Sequence, residues 1–270
     1  MPTVITFGNM KGGVGKTTTA AMTAYALSDM GYNTLLVDLD AQGNATTLLL
    51  KTYEELHGHK ANFNETLMMA IANDDVGSIR INVKSNLDLL PSYRDFADFT
   101  EFLYERYPKD KLKRQSHLKR LFDGLKGHYD YILIDVPPTK SLVLDNALNM
   151  SDYAVLVMQS QERSFVGAEL FIDELIKITE NGNPNLDILG ILPVILKKDS
   201  KIDQSVMERA KTKYADLLFE VTIPHLERLK RYDVTGILKN DKDVHDKRVH
   251  ALYAEVAKEL IKRKDGLENE

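Results

Sequence analysis

Val4-Ile5-Thr6-Phe7-Gly8-Asn9-Met10-Lys11-Gly12-Gly13-Val14-Gly15-Lys16-Thr17-Thr18 is the stretch whose reading decides the fold. Val4 to Phe7 is an apolar run that reads as a strand. Thr18 to Met30, rich in Ala, Leu and Met and followed by Gly31, reads as a helix closed by a glycine. Between them lies a glycine loop, and strand, loop, helix is the context a phosphate-binding loop requires. Gly12, Gly13 and Gly15 permit backbone torsions and close approaches that side chains would obstruct, so successive amides can face phosphate oxygens. The start of the helix adds its positive end at the same place. Lys16 supplies a mobile charge for the β- and γ-phosphates, and the Thr17 hydroxyl is placed to ligate Mg2+. Lys11, Gly12, Gly13, Val14, Gly15, Lys16, Thr17 and Thr18 are thus the expected nucleotide-binding residues. The first glycine of the usual pattern, five residues before Gly15, is replaced by Met10.

Outward from this loop, strand-like and helix-like segments alternate. Strands are expected at Thr34–Leu39, Leu87–Leu90, Tyr131–Val136, Tyr153–Met158 and Ile188–Ile195. Helices are expected near Arg94–Tyr104, Lys111–Lys126, Val166–Thr179, Asp203–Tyr214 and Val249–Lys262. Lys51 to Asn64, polar and carrying His57, Gly58 and His59, reads as an exposed loop. The pattern predicts an α/β fold, a doubly wound, mostly parallel sheet flanked by helices. One domain is expected over residues 1–263, with a frayed tail over 264–270.

Two acidic stations fall at strand ends, where doubly wound sheets bind ligands. Asp38 and Asp40 share one side of the second strand by period-two alternation. Asp135 follows four apolar strand residues and precedes Val136-Pro137-Pro138, as a magnesium-organising carboxylate should. Composition narrows the rest. The 270 residues hold 35 Lys and Arg against 40 Asp and Glu, net charge −5, with no cysteine. Disulfides, thiolate nucleophiles and Cys-ligated metal clusters are excluded. No segment approaches the roughly 20 apolar residues of a membrane span, and no signal-peptide pattern opens the chain. A cytoplasmic location is expected. Because the summed field repels phosphate, any nucleic-acid binding needs a local basic patch.

Lys11 to Thr18, KGGVGKTT, resembles the deviant Walker A signature of the ParA/MinD ATPases; DLDAQGN at Asp38–Asn44 resembles their second acidic motif, and Asp135 to Pro138 their D-x-P-P. The resemblance implies a P-loop NTPase of the deviant Walker A type that hydrolyses MgATP. It implies that Lys11 reaches across an ATP-sandwich homodimer to the partner's phosphates, that Asp40 polarises the attacking water, and that Asp38 supports the metal with Thr17 and Asp135. Lys11, Lys16 and Asp40 are the expected catalytic residues. The absence of cysteine separates the chain from nitrogenase-iron-protein relatives.

Two functions remain. A MinD-like positioning ATPase would need a membrane-binding C-terminal helix; Val249, Leu252, Tyr253, Val256, Leu260 and Ile261 form an apolar stripe, but the chain ends acidic. No stable membrane association is therefore expected. A ParA-like DNA-segregation ATPase would bind DNA without sequence preference, and cations gather at Lys197, Lys198, Lys201, Arg228, Lys230, Arg231, Lys247 and Arg248. By resemblance, Arg228 lies near a family DNA-contact position. Lys109 to Arg120 is a second basic face. With the first strand opening at Val4, no N-terminal helix-turn-helix and no sequence-specific repression are expected. The short ParA form implied here works with a centromere-binding, ParB-type adaptor that stimulates hydrolysis, and it associates with the nucleoid when ATP-bound.

Overall fold

The structure is a computed structural model that describes residues 1–196, 201–240 and 242–269. Strands are β1 (Thr3–Gly8), β2 (Thr34–Asp38), β3 (Ile81–Lys84), β4 (Leu87–Leu90), β5 (Tyr131–Asp135), β6 (Tyr153–Gln159), β7 (Asp187–Leu196) and β8 (Ile223–Pro224). Helices are α1 (Lys16–Asp29), α2 (Asn44–His57), α3 (Leu67–Ala72), α4 (Phe99–Arg106), α5 (Lys111–Gln115), α6 (His117–Asp123), α7 (Leu142–Met150), α8 (Glu162–Asn181), α9 (Lys201–Tyr214), α10 (Glu227–Thr235) and α11 (Val244–Glu268). Among the described residues the strands form one sheet in the order β3-β4-β2-β5-β1-β6-β7-β8, parallel except for the edge pair β3 and β4. This is the doubly wound α/β architecture that the alternating pattern predicts.

Alternation along each strand divides the core in two. Val4, Leu35, Val37, Ile132, Ile134 and Leu156 pack on one face against residues of α4, α6, α7 and α8. Ile5, Phe7, Leu36, Leu133, Val155 and Val157 pack on the other against α1, α2 and α11. Strands buried on both faces explain why the central runs are apolar throughout rather than alternating with polar residues. The parallel register aligns Asp38 with Asp135, and Phe7 with Asp135. Two acidic strand ends and the mouth of β1 therefore meet at one edge of the sheet.

Several boundaries differ from the sequence reading. The polar run from Lys51 continues α2 to His57: Leu48, Leu49 and Thr52 face the core, the charged residues are its wet side, and Gly58 ends it at φ 73°. Lys111–Lys126 is two helices rather than one. Asn146 of α7 enters the break, donating to the Arg114 carbonyl at 2.7 Å and accepting from the Leu118 amide at 3.0 Å. The stretch from Arg94 starts as a 3-10 turn before α4. The expected frayed tail is helical to Glu268, held by Lys264 pairing with Asp265 and Glu268 at 2.9 Å. The apolar stripe of α11 is docked: Val249, Tyr253, Val256 and Leu260 are buried in the core shared with α1. No described helix is long and apolar enough to cross a membrane.

Candidate nucleotide site

The loop after β1 is anchored from beneath by Asn9, which is 1% exposed. Its Nδ2 donates to the carbonyls of Val157 and Ser164 at 2.9 and 3.1 Å, and its Oδ1 accepts from the Lys11 amide at 2.8 Å. The Met10 amide donates to the Gly167 carbonyl at 3.2 Å. Gly167 lies inside α8 because a Cβ there would come within 3.0 Å of the Lys11 nitrogen. Gln159, at the end of β6, donates Nε2 to the Gly13 carbonyl at 3.0 Å. The loop is thus pre-shaped by two neighbouring elements, which spares the binding step an ordering cost.

Gly15 starts α1 in the left-handed region at φ 92°, and no side chain caps this helix. Asp243 caps α11, Ser141 α7 and Thr66 α3, whereas the first amides of α1 have no such side chain and open beneath the glycine loop. An uncapped N-terminus beneath a glycine loop is an anion site. Lys16, 6% exposed, donates Nζ to the Lys11 carbonyl at 3.3 Å. Burial lowers its pKa, and the nearby Asp135 and Asp40 oppose that shift. Val14 is fully buried. The Lys11 ammonium folds onto the Gly12 carbonyl at 3.0 Å. Gly12, Gly13, Gly15, Lys16, Thr17 and Thr18 line a cleft of about 670 Å³, with Asp40, Gln42, Asn44 and Asp233 on its other walls.

The three acids occupy different environments. Asp135 is 1% exposed, and neither carboxylate oxygen has a hydrogen-bond partner. Burial drives its pKa well above the carboxylate range and Asp38 pushes the same way, while the adjacent Thr17 hydroxyl, too poorly aligned for a hydrogen bond, and Lys16 oppose the shift. A buried, unpartnered carboxylate beside a phosphate loop fits a hard divalent cation that keeps its waters. Asp38 is occupied: Oδ1 accepts from the Asp40 amide at 3.0 Å, and Oδ2 from the Thr46 amide and hydroxyl, each at 2.8 Å. Those bonds cap α2 from the strand, and burial nevertheless raises the Asp38 pKa. Asp40 lines the cleft, and its Oδ1 accepts from the Gln42 amide at 2.9 Å.

A smaller annex of about 150 Å³ adjoins the cleft through Gly15, Thr18, Ile195 and Asp233, with Pro224, Leu226 and Leu229 as its apolar walls. Among the described residues, the expected DNA-binding cations are not equally free. Arg228 is turned inward onto Asp246, and Lys230 pairs with Glu227 at 3.1 Å. Arg231, Lys247 and Arg248 are exposed. Lys197 and Lys198 lie outside the described residues, and Lys201 begins α9. On the second face Lys109, Lys111 and Lys119 are exposed, while Arg106 and Arg120 share Asp74. Sequence reasoning missed Asn9, Gln159, Gly167 and Asp233. A polar residue ending each of two apolar strands, and a glycine inside a helical pattern, were the available signals; for Asp233 the family resemblance marked the nucleotide-side segment from Ile223 to Gly236 without singling out the residue.

Strand, glycine loop, uncapped helix and two acidic strand ends together define a P-loop nucleoside triphosphatase with a second lysine in its loop. The chain belongs to the ParA/Soj family of partition-type ATPases. A family model described as an AAA domain matches residues 2–188. Sporulation initiation inhibitor protein Soj from Bacillus subtilis is 31% identical over 231 residues, 85% of this chain and 87% of that protein. A putative plasmid partition protein from Borrelia burgdorferi, solved bound to AMPPNP, superposes with TM-score 0.75 at 29% identity, covering 96% of this chain and 99% of that one. Cobyrinic acid a,c-diamide synthase from Mycobacterium smegmatis, solved with an ATP analogue and magnesium, has TM-score 0.75 at 25% identity and covers 96% and 93%.

Proposed function

We propose that this chain is a DNA-partition ATPase that closes as an ATP-sandwich homodimer, holds DNA without sequence preference, and releases it when a ParB-type adaptor triggers hydrolysis. The observation that carries the enzymatic part is the uncapped α1 terminus and Lys16 lining one cleft with Asp40 and Val136, with the buried Asp135 next to Val136 and acting electrostatically on Lys16. In this reading the loop amides and Lys16 hold the β- and γ-phosphates, and the adenine base enters the apolar annex beside Pro224. Thr17 and Asp135 would hold Mg2+, with Asp38 behind them fixing the strand end against α2. Bound there, the ion would neutralise phosphate charge and favour ionised Asp135. Asp40 orients the attacking water. Lys11, curled over its own loop in the single chain, swings to the partner's phosphates on closure, so hydrolysis depends on dimerisation.

Two features favour DNA over a membrane as the surface engaged. The α11 stripe is packed inside the protein, and exposed cations remain at Arg231, Lys247 and Arg248. DNA retention on a nucleic-acid-coated surface with ATP, ADP and no nucleotide tests the reading. Retention only with ATP, falling steeply with salt, is expected; equal retention in all three states refutes it, and ATP-dependent sedimentation with anionic liposomes would favour a positioning ATPase instead.

A further inference from the structure

Arg228 faces the protein interior. Its Nε and one terminal nitrogen donate to the two oxygens of Asp246 at 2.5 and 2.6 Å, and Asp243 lies 3.2 Å away. The Arg228 side chain is 13% exposed and that of Asp246 fully buried. Tyr232, one turn further along α10, donates its hydroxyl to Asp246 Oδ1 at 2.6 Å. Asp243 is also the N-cap of α11, accepting from the amides of His245 and Asp246. Two residues on one stripe of α10 are therefore locked to the first turn of α11. A guanidinium matches a carboxylate in this two-pronged way, whereas an ammonium offers only a point charge.

The neighbouring stripe of α10, about 100° round the helix, faces the nucleotide side. Leu229 and Asp233, with Leu226 just ahead of the helix, line the annex beside Gly15 and Ile195, and Asp233 also lines the main cleft. The Asp233 carbonyl accepts from the Lys51 ammonium of α2, which closes the same corner. The phosphate loop does not share this dependence, since Asn9, Gln159 and Gly167 hold it through β6 and α8.

We propose that Arg228 is a positioning residue for the base end of the nucleotide site rather than a DNA contact: by locking α10 to α11 through Asp246, it sets the apolar wall against which the base packs. The inference rests on the nucleotide reading above. It separates two parts of one ligand, because an inorganic triphosphate needs the loop but not the annex.

The test uses the full chain and its Arg228→Ala, Arg228→Lys and Asp246→Asn variants. Affinities for MgATP and for inorganic tripolyphosphate are measured by competition against a fluorescent ATP analogue, and the salt slope of ATP-dependent DNA retention is measured at saturating ATP. Arg228→Ala and Asp246→Asn should weaken MgATP by about tenfold, as a misfitted apolar pocket does. Tripolyphosphate affinity and the salt slope should stay at the wild-type value, and Arg228→Lys should fall between. Unchanged MgATP affinity with a salt slope reduced by about one unit would make Arg228 a phosphate contact and overturn the proposal. Parallel losses for both ligands would reduce it to general destabilisation and overturn it equally. If Arg228→Ala does not fold, Arg228→Lys and Asp246→Asn give the same discrimination. A wild-type chain that binds no ATP would refute the nucleotide reading itself, a result distinct from either.

Discussion

At the scale of single residues, chemistry is divided between groups that would touch the nucleotide and groups that hold those in place. Asp40 and Asp38 look equivalent in sequence, two positions apart on one strand, yet Asp38 spends both oxygens on Thr46 and the Asp40 amide while Asp40 opens to the cleft. Asp40→Ala should therefore retain ATP binding and lose about 10²- to 10⁴-fold in turnover, as single-turnover assays would report; a wild-type rate would remove it from the mechanism. Asp38→Ala should instead show its main effect in thermal unfolding, because α2 loses its cap and Thr46 its acceptor. Asn9 belongs to the supporting group. Removing its three buried hydrogen bonds in Asn9→Ala should cost about 1 to 3 kcal/mol in denaturant unfolding and weaken ATP binding through a loosened loop.

At the scale of elements, the packing of α6 against α4 contains a pH-dependent contact. His117 is 3% exposed, accepts or donates at Nδ1 with the Tyr107 hydroxyl at 3.1 Å, and has no partner at Nε2. Burial, helped by Arg106 and Arg120 and opposed by Asp74, lowers its pKa from 6.5 to about 4. The unfolded chain then binds more protons than the folded one between those values. Stability is fully present above pH 6.5 and falls as pH drops toward 4, by a total on the order of 3 kcal/mol. Denaturant unfolding across pH 4 to 7 should show that slope, and His117→Phe should flatten it; an unchanged slope in the variant would exclude His117 as its source. In α8, Gly167→Ala would press a methyl group on the Lys11 nitrogen, so weaker ATP binding with little change in helix content is expected.

How much of this was readable depends on whether the signal was local. The phosphate loop, Asp135 and the five central strands were legible because glycine spacing and apolar runs are local. The break at Ser116 was not, since Asn146, distant in sequence, supplies the bonds that replace the helical ones. The end of α2 was hidden by its wet face, and the fate of Arg228 by a partner eighteen residues away. Charge and the family resemblance marked Arg228 as a DNA contact, whereas the fold gave it a buried carboxylate.

At the scale of the whole molecule, the sheet of the described residues brings three distant segments to one edge, so that the loop after β1 and the segments that leave β2 and β5 share a cleft. The proposed sandwich dimer is tested through Lys11: sedimentation should give a dimer with ATP and Asp40→Ala, and a monomer with ADP or with Lys11→Ala. A dimer indifferent to nucleotide would contradict the sandwich. The most direct measurement of the central claim is titration calorimetry of MgATP into the wild-type chain and Lys16→Ala. Saturable binding at one nucleotide per chain, abolished by the substitution, is the predicted result; no heat with the wild type, or equal affinity in both proteins, would contradict it.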